Sequence, residues 1–467
     1  MTYFLDPFGC VKNQVDAENM MAFLNREGWA AAENAETSDL IIINSCGFIE
    51  SAKRESINAV LGWKKLYPNK KILLAGCLAQ RYSKELERDL PEADGIFGTE
   101  DLSGITCAVK NLIGITADNT SGNGAQDRLT AEIKARHETN SIADTGKRPL
   151  LSLPGSAYVK ISEGCNNRCS FCAIPLIRGG LASRPLRDVT EECKELLGRG
   201  IKELCLIGQD TGSYGRDWRE AGGSSPAITI LLETLSRLKG NFWIRLLYIH
   251  PDNFPVSILD IMENDKRILP YFDIPFQHAS DKILKAMRRR GNAASYLELI
   301  ETVRQRLPDA VIRSTFMTGF PGETEEDFRA LMDFQTKACL DWLGCFSYSR
   351  EEDTESYTMK GRVSKKTSSE RKQLIEERQV AITEKQMERF IGRTFDVLVE
   401  EKFDPLSPSA GDEPQEEPAL YLGRLPGQAP EVDGAAVISS LQPLKLGVIV
   451  PCRVIARAGF DLEVQPL

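Results

Sequence analysis

The chain of 467 residues lacks the features that mark membrane proteins, secreted proteins and proteins that bind nucleic acid broadly. No apolar run approaches the roughly 18 residues that a membrane span requires. The amino terminus, MTYFLDPFGC, has no basic segment followed by an apolar stretch of secretory type. Basic residues are in the minority, with 58 Lys and Arg against 67 Asp and Glu, which disfavours broad phosphate contact. We expect a cytoplasmic protein without membrane contact.

Cysteine is too scarce for a disulfide scaffold, with 12 residues in a chain of this length. In a reducing compartment, clustered thiols more often bind metal or take part in chemistry. Six of the cysteines share no spacing, and we interpret them as ordinary core or surface residues: Cys107, Cys193, Cys205, Cys339, Cys345 and Cys452.

The pattern of apolar residues predicts an α/β protein of three domains. Residues 1–116 alternate strand and helix patterns, which predicts a parallel-sheet α/β domain. Residues 117–150 are polar and rich in Gly, Asn and Thr, as a linker or insertion is. Repeated strand–helix units in 151–388 predict a partial (β/α) barrel of TIM type, which ends with a charge-laced helix over 364–390. Short alternating runs in 389–467 predict a small antiparallel β-barrel.

Three cysteines lie close together in the segment ISEGCNNRCSFCAIPLIRG. Cys165, Cys169 and Cys172 are separated by three and then two residues. Structural zinc sites normally have four protein ligands, and Cys-bound clusters are normally held by four cysteines. Three thiolates without an evident fourth therefore leave one metal of a cluster with an open position. In a catalytic site, such a position is where substrate binds.

This spacing, with Phe171 immediately before the last cysteine, resembles the signature of the radical S-adenosylmethionine enzymes. The resemblance implies a 4Fe-4S cluster on the three thiols, with its open iron chelated by the methionyl amino and carboxylate groups of S-adenosylmethionine. It also implies cleavage of that cofactor to a 5′-deoxyadenosyl radical, which abstracts hydrogen from an unactivated carbon. The alternative is a zinc knuckle with a distant fourth ligand, such as His250 or His278, although its usual spacings differ.

A second set of three cysteines is spread over the first domain, where Cys10, Cys46 and Cys77 each follow an apolar run. If those runs are neighbouring parallel strands, the three thiols meet at one edge of the sheet. Neighbouring glycines would let the backbone approach a bulky inorganic core. The alternative is three ordinary buried cysteines, a frequent fate of free thiols.

Two such triplets followed by a small barrel resemble the methylthiotransferases over almost the whole chain. The resemblance implies that the first triplet holds an auxiliary 4Fe-4S cluster, which delivers sulfur, and that the second holds the radical cluster. It implies that one S-adenosylmethionine methylates the sulfur and a second yields the radical. The terminal barrel would be a TRAM domain that recognises the substrate, and a low-potential electron donor is required. The identity of that donor and the oligomeric state stay open.

Four stretches are similar to the group of this family that modifies the β-carbon of an aspartate in the small-subunit ribosomal protein S-twelve: ISEGCNNRCSFCAIPLIRG, GQDTGSYG, DIPFQHAS and STFMTGFPGETEEDF. The last domain favours the same substrate, because residues from 391 onward hold 12 acids and 6 bases. An acidic barrel complements a basic protein and disfavours RNA phosphate, so RNA binding is expected to be secondary. The alternative interpretation of these acids is that they merely solvate a loop. The alternative functions are methylthio transfer to a tRNA adenosine and that of a non-catalytic iron-sulfur redox protein.

Polar residues at the predicted strand ends complete the predicted site, since a parallel barrel binds ligands at that end. Besides Phe171, the cofactor-binding candidates are Gln209, Arg245, Gln277 and Gly319, with Asp210, His250 and Glu323 at the same edge. Arg178 and Arg184 either bind the cofactor carboxylate or pair on the surface. Glu323 and Thr324 are open to a second interpretation, as caps of the helix that begins at EEDF. No side chain is assigned as catalytic.

Overall fold

The computed structural model describes residues 1–114, 147–218, 226–403 and 418–467. The predicted linker, 117–150, lies for the most part outside these residues. No helix in the described part of the chain is both long enough and apolar enough to cross a membrane. The chain forms two compact units, and each is described by itself. The first contains Met1–Leu151, Ser162–Asp188 and Ser349–Tyr357, and the second contains Ser152–Ile161, Val189–Tyr348 and Thr358–Leu467.

The first unit is built on a five-stranded parallel sheet with the order β2-β1-β3-β4-β5. Its strands are β1 Thr2–Pro7, β2 Ala30–Ala31, β3 Leu40–Ser45, β4 Lys71–Gly76 and β5 Gly95–Phe97. Its helices are Val11–Arg26, Glu50–Leu66, Cys77–Arg81, Ser83–Asp89 and Ile105–Leu112. β3 is buried over its whole length because both faces are covered: Leu40 and Ile42 pack into one apolar cluster, and Ile41 and Ile43 into another. The predicted parallel-sheet α/β domain is confirmed.

The second unit contains the predicted partial barrel. Its strands are β6 Ser156–Lys160, β9 Glu203–Ile207, β10 Trp243–Leu246, β11 Tyr271–Asp273, β12 Val311–Thr318 and β13 Trp342–Ser347. They form two parallel sheets, β10-β9-β6 and β11-β12-β13, and a parallel bridge between Ile244 and Ile268 joins them. The accompanying helices are Leu186–Gly198, Ala227–Ser236, Ile258–Asn264, Asp281–Ala286, Ala293–Arg306 and Glu325–Ala338. Six strands thus follow one another in chain order, and the prediction of a partial (β/α) barrel is confirmed.

The predicted charge-laced helix spans Lys365–Met387 and leads into a small closed barrel with the order β14-β15-β16-β18-β17. The strands are β14 Thr394–Phe403, β15 Ala419–Arg424, β16 Ala436–Ser440, β17 Ile449–Ala458 and β18 Asp461–Pro466. Four of the five pairs are antiparallel, as predicted, whereas β16 and β18 run parallel. The parallel pair arises because β17 crosses to pair with β14 before the chain returns as β18. The small barrel is confirmed.

The surface of this barrel is less acidic than the sequence count indicates. Two of the counted acids, Glu400 and Asp433, have buried side chains that pair with Arg424 and Arg313. Five others lie outside the described residues and still contribute to the charge of the domain: Asp404, Asp412, Glu413, Glu416 and Glu417. Charge complementarity with a basic protein is therefore a weaker argument than the count of 12 acids against 6 bases suggested.

Candidate functional site

The first cysteine triplet lies at one edge of the sheet in the first unit. Cys10 immediately precedes the helix Val11–Arg26, Cys46 directly follows β3, and Cys77 directly follows β4. Because β1, β3 and β4 are neighbouring parallel strands, their carboxyl ends bring the three residues to the same edge. Cys10 is exposed, Cys46 is half-buried and Cys77 is buried, so the site has an open side and a closed side.

Glycines let the cysteine-bearing loops approach one another closely. Gly76 has a φ of +98°, and a Cβ at this position would lie 2.6 Å from the Ser45 carbonyl oxygen. A Cβ at Gly47 would lie 2.7 Å from the Cys77 carbonyl oxygen. Both glycines therefore serve contact between neighbouring loops, a role distinct from the predicted approach of the backbone to an inorganic core.

A polar network surrounds the Cys77 sulfur. Arg178 Nη2 lies 3.1 Å from Cys77 Sγ, 2.7 Å from Asn13 Oδ1 and 2.8 Å from Asp16 Oδ2. Arg178 Nη1 donates to Glu163 Oε1 at 2.7 Å, and Cys77 Sγ donates to Asn13 Oδ1 at 3.1 Å. The Arg178 side chain is only 3% exposed. The alternative that it pairs on the surface is therefore wrong.

Burial controls the pKa values of the thiols at this edge. Desolvation raises the pKa of Cys77 to about 12, and the Arg178 guanidinium offsets only part of that shift. Burial also raises the pKa of Cys46, with a further contribution from the neighbouring Cys10. The buried thiols are thus protonated at neutral pH in the metal-free chain, and a metal cation is the charge that deprotonates a coordinating thiol.

The second triplet lies on a loop that is closed by a short antiparallel ribbon. The two strands of this ribbon are β7 Ser162–Glu163 and β8 Ala182–Ser183. Cys165 N donates to Gly179 O at 3.3 Å, and Cys172 N donates to Cys169 O at 3.0 Å. All three cysteines are half-buried, as is Phe171. The local chain thus keeps these thiols within one turn-rich segment, and a hydrogen bond of 2.9 Å from Ser356 N to Ser170 O joins a distant part of the same unit to it.

The two triplets belong to the same compact unit. The helix Ile174–Arg178 begins two residues after Cys172. Ala173 and Ile177 pack with Cys77 in one small apolar cluster. Cysteines that are about ninety positions apart in the sequence are thus connected through a single short helix.

The donor set at each triplet is sulfur alone, which suits an iron-sulfur cluster or zinc and disfavours harder ions. No group of three or more His, Cys, Asp or Glu side chains in the described ranges is arranged to hold a metal ion. Soft thiolate donors are the ligands that iron-sulfur clusters take, so the residues present fit such a cluster through their chemistry.

Two of the cofactor-binding candidates have constrained backbones at the carboxyl ends of barrel strands in the second unit. Gln277 has a φ of +68°, its N–H donates to Thr315 O at 2.8 Å, and its carbonyl accepts from Met317 N at 2.7 Å. Gly319 directly follows β12, has a φ of +78°, and donates its N–H to Glu323 Oε2 at 2.7 Å. Such outliers cluster at functional sites, and this is the end of a parallel barrel that binds ligands.

The other strand-end residues are held by hydrogen bonds within the second unit. Gln209 follows β9 and is half-buried, next to the buried Asp210. Asp210 accepts hydrogen bonds from His250 N at 3.0 Å, Asn253 Nδ2 at 2.7 Å and Ser213 Oγ at 2.6 Å. Asp210 therefore fixes the loops around this strand end.

Arg245 is fully buried within the second unit. Its Nε donates to Glu203 Oε1 at 2.8 Å and its Nη1 to Pro426 O at 2.9 Å, and the guanidinium lies 4.7 Å from the centroid of the Tyr271 ring. These contacts favour a structural role. The cofactor-binding assignments of Arg245, Phe171, Gln209, Gln277 and Gly319 stay predictions.

The alternative of helix capping accounts for Thr324. It is the N-cap of the helix Glu325–Ala338, where its side chain accepts from Asp327 N and Asp327 reciprocates in a capping box. Glu323 instead binds the N–H of Gly319 and accepts from Arg371 Nη1 at 2.6 Å. Glu323 thus shapes the loop after β12.

A cavity of about 390 Å³ lies at the other end of the barrel strands. Its lining includes Trp243 at the start of β10, Val311 at the start of β12, and the aromatic rings of Phe390 and Phe395. Because the cofactor-binding candidates follow the carboxyl ends of the strands, this cavity does not belong to the candidate site.

Asn13 and Asp16 were not predicted from the sequence as site residues, although each is 1% exposed and both surround the Cys77 sulfur together with Arg178. A signal for them exists in the sequence. The helix that follows Cys10 buries a set of polar residues beside its apolar ones: Lys12, Asn13, Asp16 and Glu18. Polar residues on the face of an amphipathic helix that packs on a sheet indicate a buried polar site.

Family models match three parts of the chain. The uncharacterized protein family UPF0004 matches residues 2–98, the radical SAM superfamily matches residues 159–334, and the TRAM domain matches residues 391–466. The chain is therefore a radical S-adenosylmethionine enzyme with a TRAM domain. The predicted boundaries at 116, 150 and 388 stay predictions.

Curated relatives match over nearly the full length. Ribosomal protein uS12 methylthiotransferase RimO of Treponema denticola is 46% identical over 98% of this chain and 99% of that protein. RimO of Carboxydothermus hydrogenoformans is 37% identical over 99% of each chain, and RimO of Aquifex aeolicus is 38% identical over 97% of this chain and 94% of that protein. The chain belongs to the RimO family of methylthiotransferases. The predicted class of enzyme is confirmed, as are its cofactors, S-adenosylmethionine and two 4Fe-4S clusters, which follow from the family.

A similar fold occurs among solved structures. The radical S-adenosylmethionine methyltransferase TsrM from Kitasatospora setae, with tryptophan and a cofactor analogue bound, superposes with a TM-score of 0.54 at 14% identity. The match covers 74% of this chain and 72% of that chain. At this identity, the likeness establishes the shared fold alone.

Proposed function

We propose that this chain transfers a methylthio group to the β-carbon of an aspartate in ribosomal protein uS12. The full-length relatives that carry this activity in their names support the substrate. The structural observation that carries the reaction type is the presence of two three-cysteine sets in one compact unit. A β-carbon hydrogen of an aspartyl side chain is too weakly acidic for an ordinary general base, so a radical route suits this target.

We assign one cluster to each triplet. In this proposal the auxiliary 4Fe-4S cluster is held by Cys10, Cys46 and Cys77, and the radical cluster by Cys165, Cys169 and Cys172. When bound, the radical cluster supplies the electron that cleaves S-adenosylmethionine to the hydrogen-abstracting radical. The protein orients both groups and excludes water. Phe171, Gln209, Gln277 and Gly319 are our candidates for contact with the cofactor, and Arg245 is a candidate for a supporting role.

The proposed partners follow from the same chemistry. A low-potential electron donor is required, because cleavage of the cofactor consumes an electron. The proposed substrate is a ribosomal protein, which supports a cytoplasmic location for the enzyme. The TRAM match supports a secondary contact with RNA.

Parallel incubations with the two substrate classes test the proposal. Anaerobically reconstituted chain, strong reductant and S-adenosylmethionine are incubated with uS12 in the small subunit and, separately, with tRNA. We expect mass spectrometry to find one methylthio group on an aspartate of uS12 and none on tRNA, and we expect the Cys165→Ala variant to give neither product nor 5′-deoxyadenosine. Methylthiolated tRNA beside unmodified uS12 would overturn the proposed substrate.

A further inference from the structure

Arg178 connects the two cysteine triplets within the first unit. It lies six residues after Cys172, yet its Nη2 is 3.1 Å from the sulfur of Cys77. The one-and-a-half-turn helix Ile174–Arg178 brings it there, and this helix also packs Ile177 against Cys77. A residue of the second triplet's segment is thus directed at a proposed ligand of the first cluster.

The guanidinium is held in place by partners on two sides. Nη2 has two N–H groups for three acceptors, Asp16 and Asn13 on the helix after Cys10 and the Cys77 sulfur, so one N–H is shared. Glu163, two residues before Cys165, accepts from Nη1. The side chains of Arg178 and Asp16 are 3% and 2% exposed. A planar guanidinium fixed on three acceptors cannot rotate away without losing its hydrogen bonds to Asp16, Asn13 and Glu163. Its contact with Cys77 is therefore part of the folded architecture.

We propose that Arg178 is a positioning residue for the auxiliary cluster. Arg178 donates a hydrogen bond to the Cys77 sulfur and raises the reduction potential of that cluster. It also fixes the segment of the second triplet to the cluster. The inference rests on the proposed assignment of a cluster to Cys10, Cys46 and Cys77. It concerns a residue that is not itself a ligand in either set.

Electrostatics determine the direction of the effect. Reduction adds one negative charge to a cluster, and a hydrogen bond to a ligating sulfur or a nearby cation stabilises the reduced form. Removal of the guanidinium would withdraw the donor and would also remove the positive charge that offsets the negative charges of Asp16 and Glu163. Both consequences disfavour reduction, so loss of Arg178 lowers the potential.

The potential can be measured on the full chain with only the auxiliary cluster present. The parent for this experiment carries Cys165→Ala, Cys169→Ala and Cys172→Ala, and it is reconstituted anaerobically and titrated while the reduced cluster is followed by electron paramagnetic resonance. We expect Arg178→Met to shift the one-electron reduction equilibrium about tenfold toward the oxidised form, which is about 59 mV.

Arg187→Met is the matched control, because it removes the same group from the same segment at a side chain that is 87% exposed and pairs with the adjacent Asp188. We expect it to leave the potential of the parent unchanged. A merely structural role of Arg178 would change iron content or stability and would leave the potential of loaded protein where it was.

The possible results distinguish failure of this inference from failure of the cluster assignment on which it rests. A fully loaded Arg178→Met chain with the parent's potential would overturn the inference and leave the cluster assignment intact. A parent that holds far fewer than about four irons per chain would instead defeat the assignment itself. If Arg178→Met does not load, Arg178→Lys decides, since it keeps the charge but loses the fork of donors: a lowered potential supports the inference, and an unchanged one overturns it.

Discussion

Arg424 on β15 donates to Glu203 on β9, with Nη2 2.5 Å from Oε2 and Nη1 3.3 Å from Oε1. The same guanidinium donates to Glu400 of β14 and to Ser156 of β6. Arg424 is 4% exposed and Glu203 is fully buried. Burial alone would raise the pKa of Glu203, but Arg424 and Arg245 lower it to about 2. A charged network thus joins the small barrel to the core strands inside the second unit.

We predict that Arg424→Met destabilises the chain by about 3–5 kcal/mol, because it leaves Glu400 and part of Glu203 as buried carboxylates without their cation. The free energy of unfolding in urea is the measurement. Arg453→Met, at an exposed position of β17, is the control, and its effect should stay within about 0.5 kcal/mol. Equal stability of the two variants would contradict the role given to the network.

Substitutions in the two cysteine sets should affect different steps of the reaction. Cys10→Ala should abolish methylthio transfer and spare release of 5′-deoxyadenosine, because it removes a ligand of the auxiliary cluster only. Iron content should fall from about eight to about four per chain if one cubane is lost. Cys107→Ala changes an exposed cysteine of the same unit that belongs to neither set, and it should leave both readouts unchanged. Loss of 5′-deoxyadenosine in Cys10→Ala would contradict the assignment.

Two glycines with a left-handed backbone provide a matched test of loop contact at the first triplet. A Cβ at Gly76, where φ is +98°, would lie 2.6 Å from the Ser45 carbonyl oxygen, whereas at Gly28, where φ is +83°, nothing lies within 4 Å. Gly28→Ala should cost about 1–2 kcal/mol for the conformation alone. Gly76→Ala should cost about 1–3 kcal/mol more, through overlap and because its ψ of −160° places it in a backbone region that is essentially restricted to glycine.

We expect Gly76→Ala also to lower the iron bound at the first triplet, because Gly76 immediately precedes Cys77. Urea unfolding of the iron-free chain and an iron assay in the background without the second triplet are the measurements. If Gly28→Ala loses as much iron as Gly76→Ala, the close approach of the loops is not what maintains the site.

Stability should fall at mildly acidic pH through His250. Burial, together with the charges of Arg289, Arg290 and Arg216, lowers the pKa of His250 to about 2, whereas a histidine in the unfolded chain titrates near about 6.5. Between these values the unfolded chain takes up a proton that the folded chain does not. The resulting stability is present above pH 6.5 or so and declines by about 1.4 kcal/mol per pH unit as the pH falls below it.

The matched comparison is His250→Gln, which has no proton to take up in this range. Between about pH 7.5 and pH 5.5 the parent should lose about 1.4 kcal/mol more free energy of unfolding than this variant, by the same linkage. Parallel pH profiles of the two proteins would show that His250 is not excluded from protonation in the fold.

Much of the fold could be predicted because each strand is encoded in a short apolar run of the sequence. The first four positions of the run LIIINS are apolar and pack into the clusters on the two faces of the sheet, and β3 is buried on both faces. Parallel order then follows from the alternation of strands and helices. The meeting of Cys10, Cys46 and Cys77 at one sheet edge required only that additional step.

The partners of individual charges could not be predicted, since they depend on contacts between distant parts of the chain. Arg178 is read from the sequence as a surface or cofactor-binding residue, but its acceptors Asn13 and Asp16 lie more than 160 positions away. Arg245 occurs at a strand, yet its burial against Glu203 and Pro426 depends on the small barrel. Likewise, a count of charges beyond residue 391 does not show that Glu400 is buried and paired with Arg424.

The two triplets differ in how much of the chain must exist before each is complete. The second lies within the segment that the ribbon of β7 and β8 closes, from Ser162 to Ser183, whereas the first needs three strands and everything up to Cys77. During synthesis, Cys10 and Cys46 leave the ribosome well before Cys77 and cannot form a triplet until β4 has docked beside β3. Maturation of the first centre is therefore tied to completed folding of the amino-terminal sheet, whereas one short segment of chain carries all three ligands of the second.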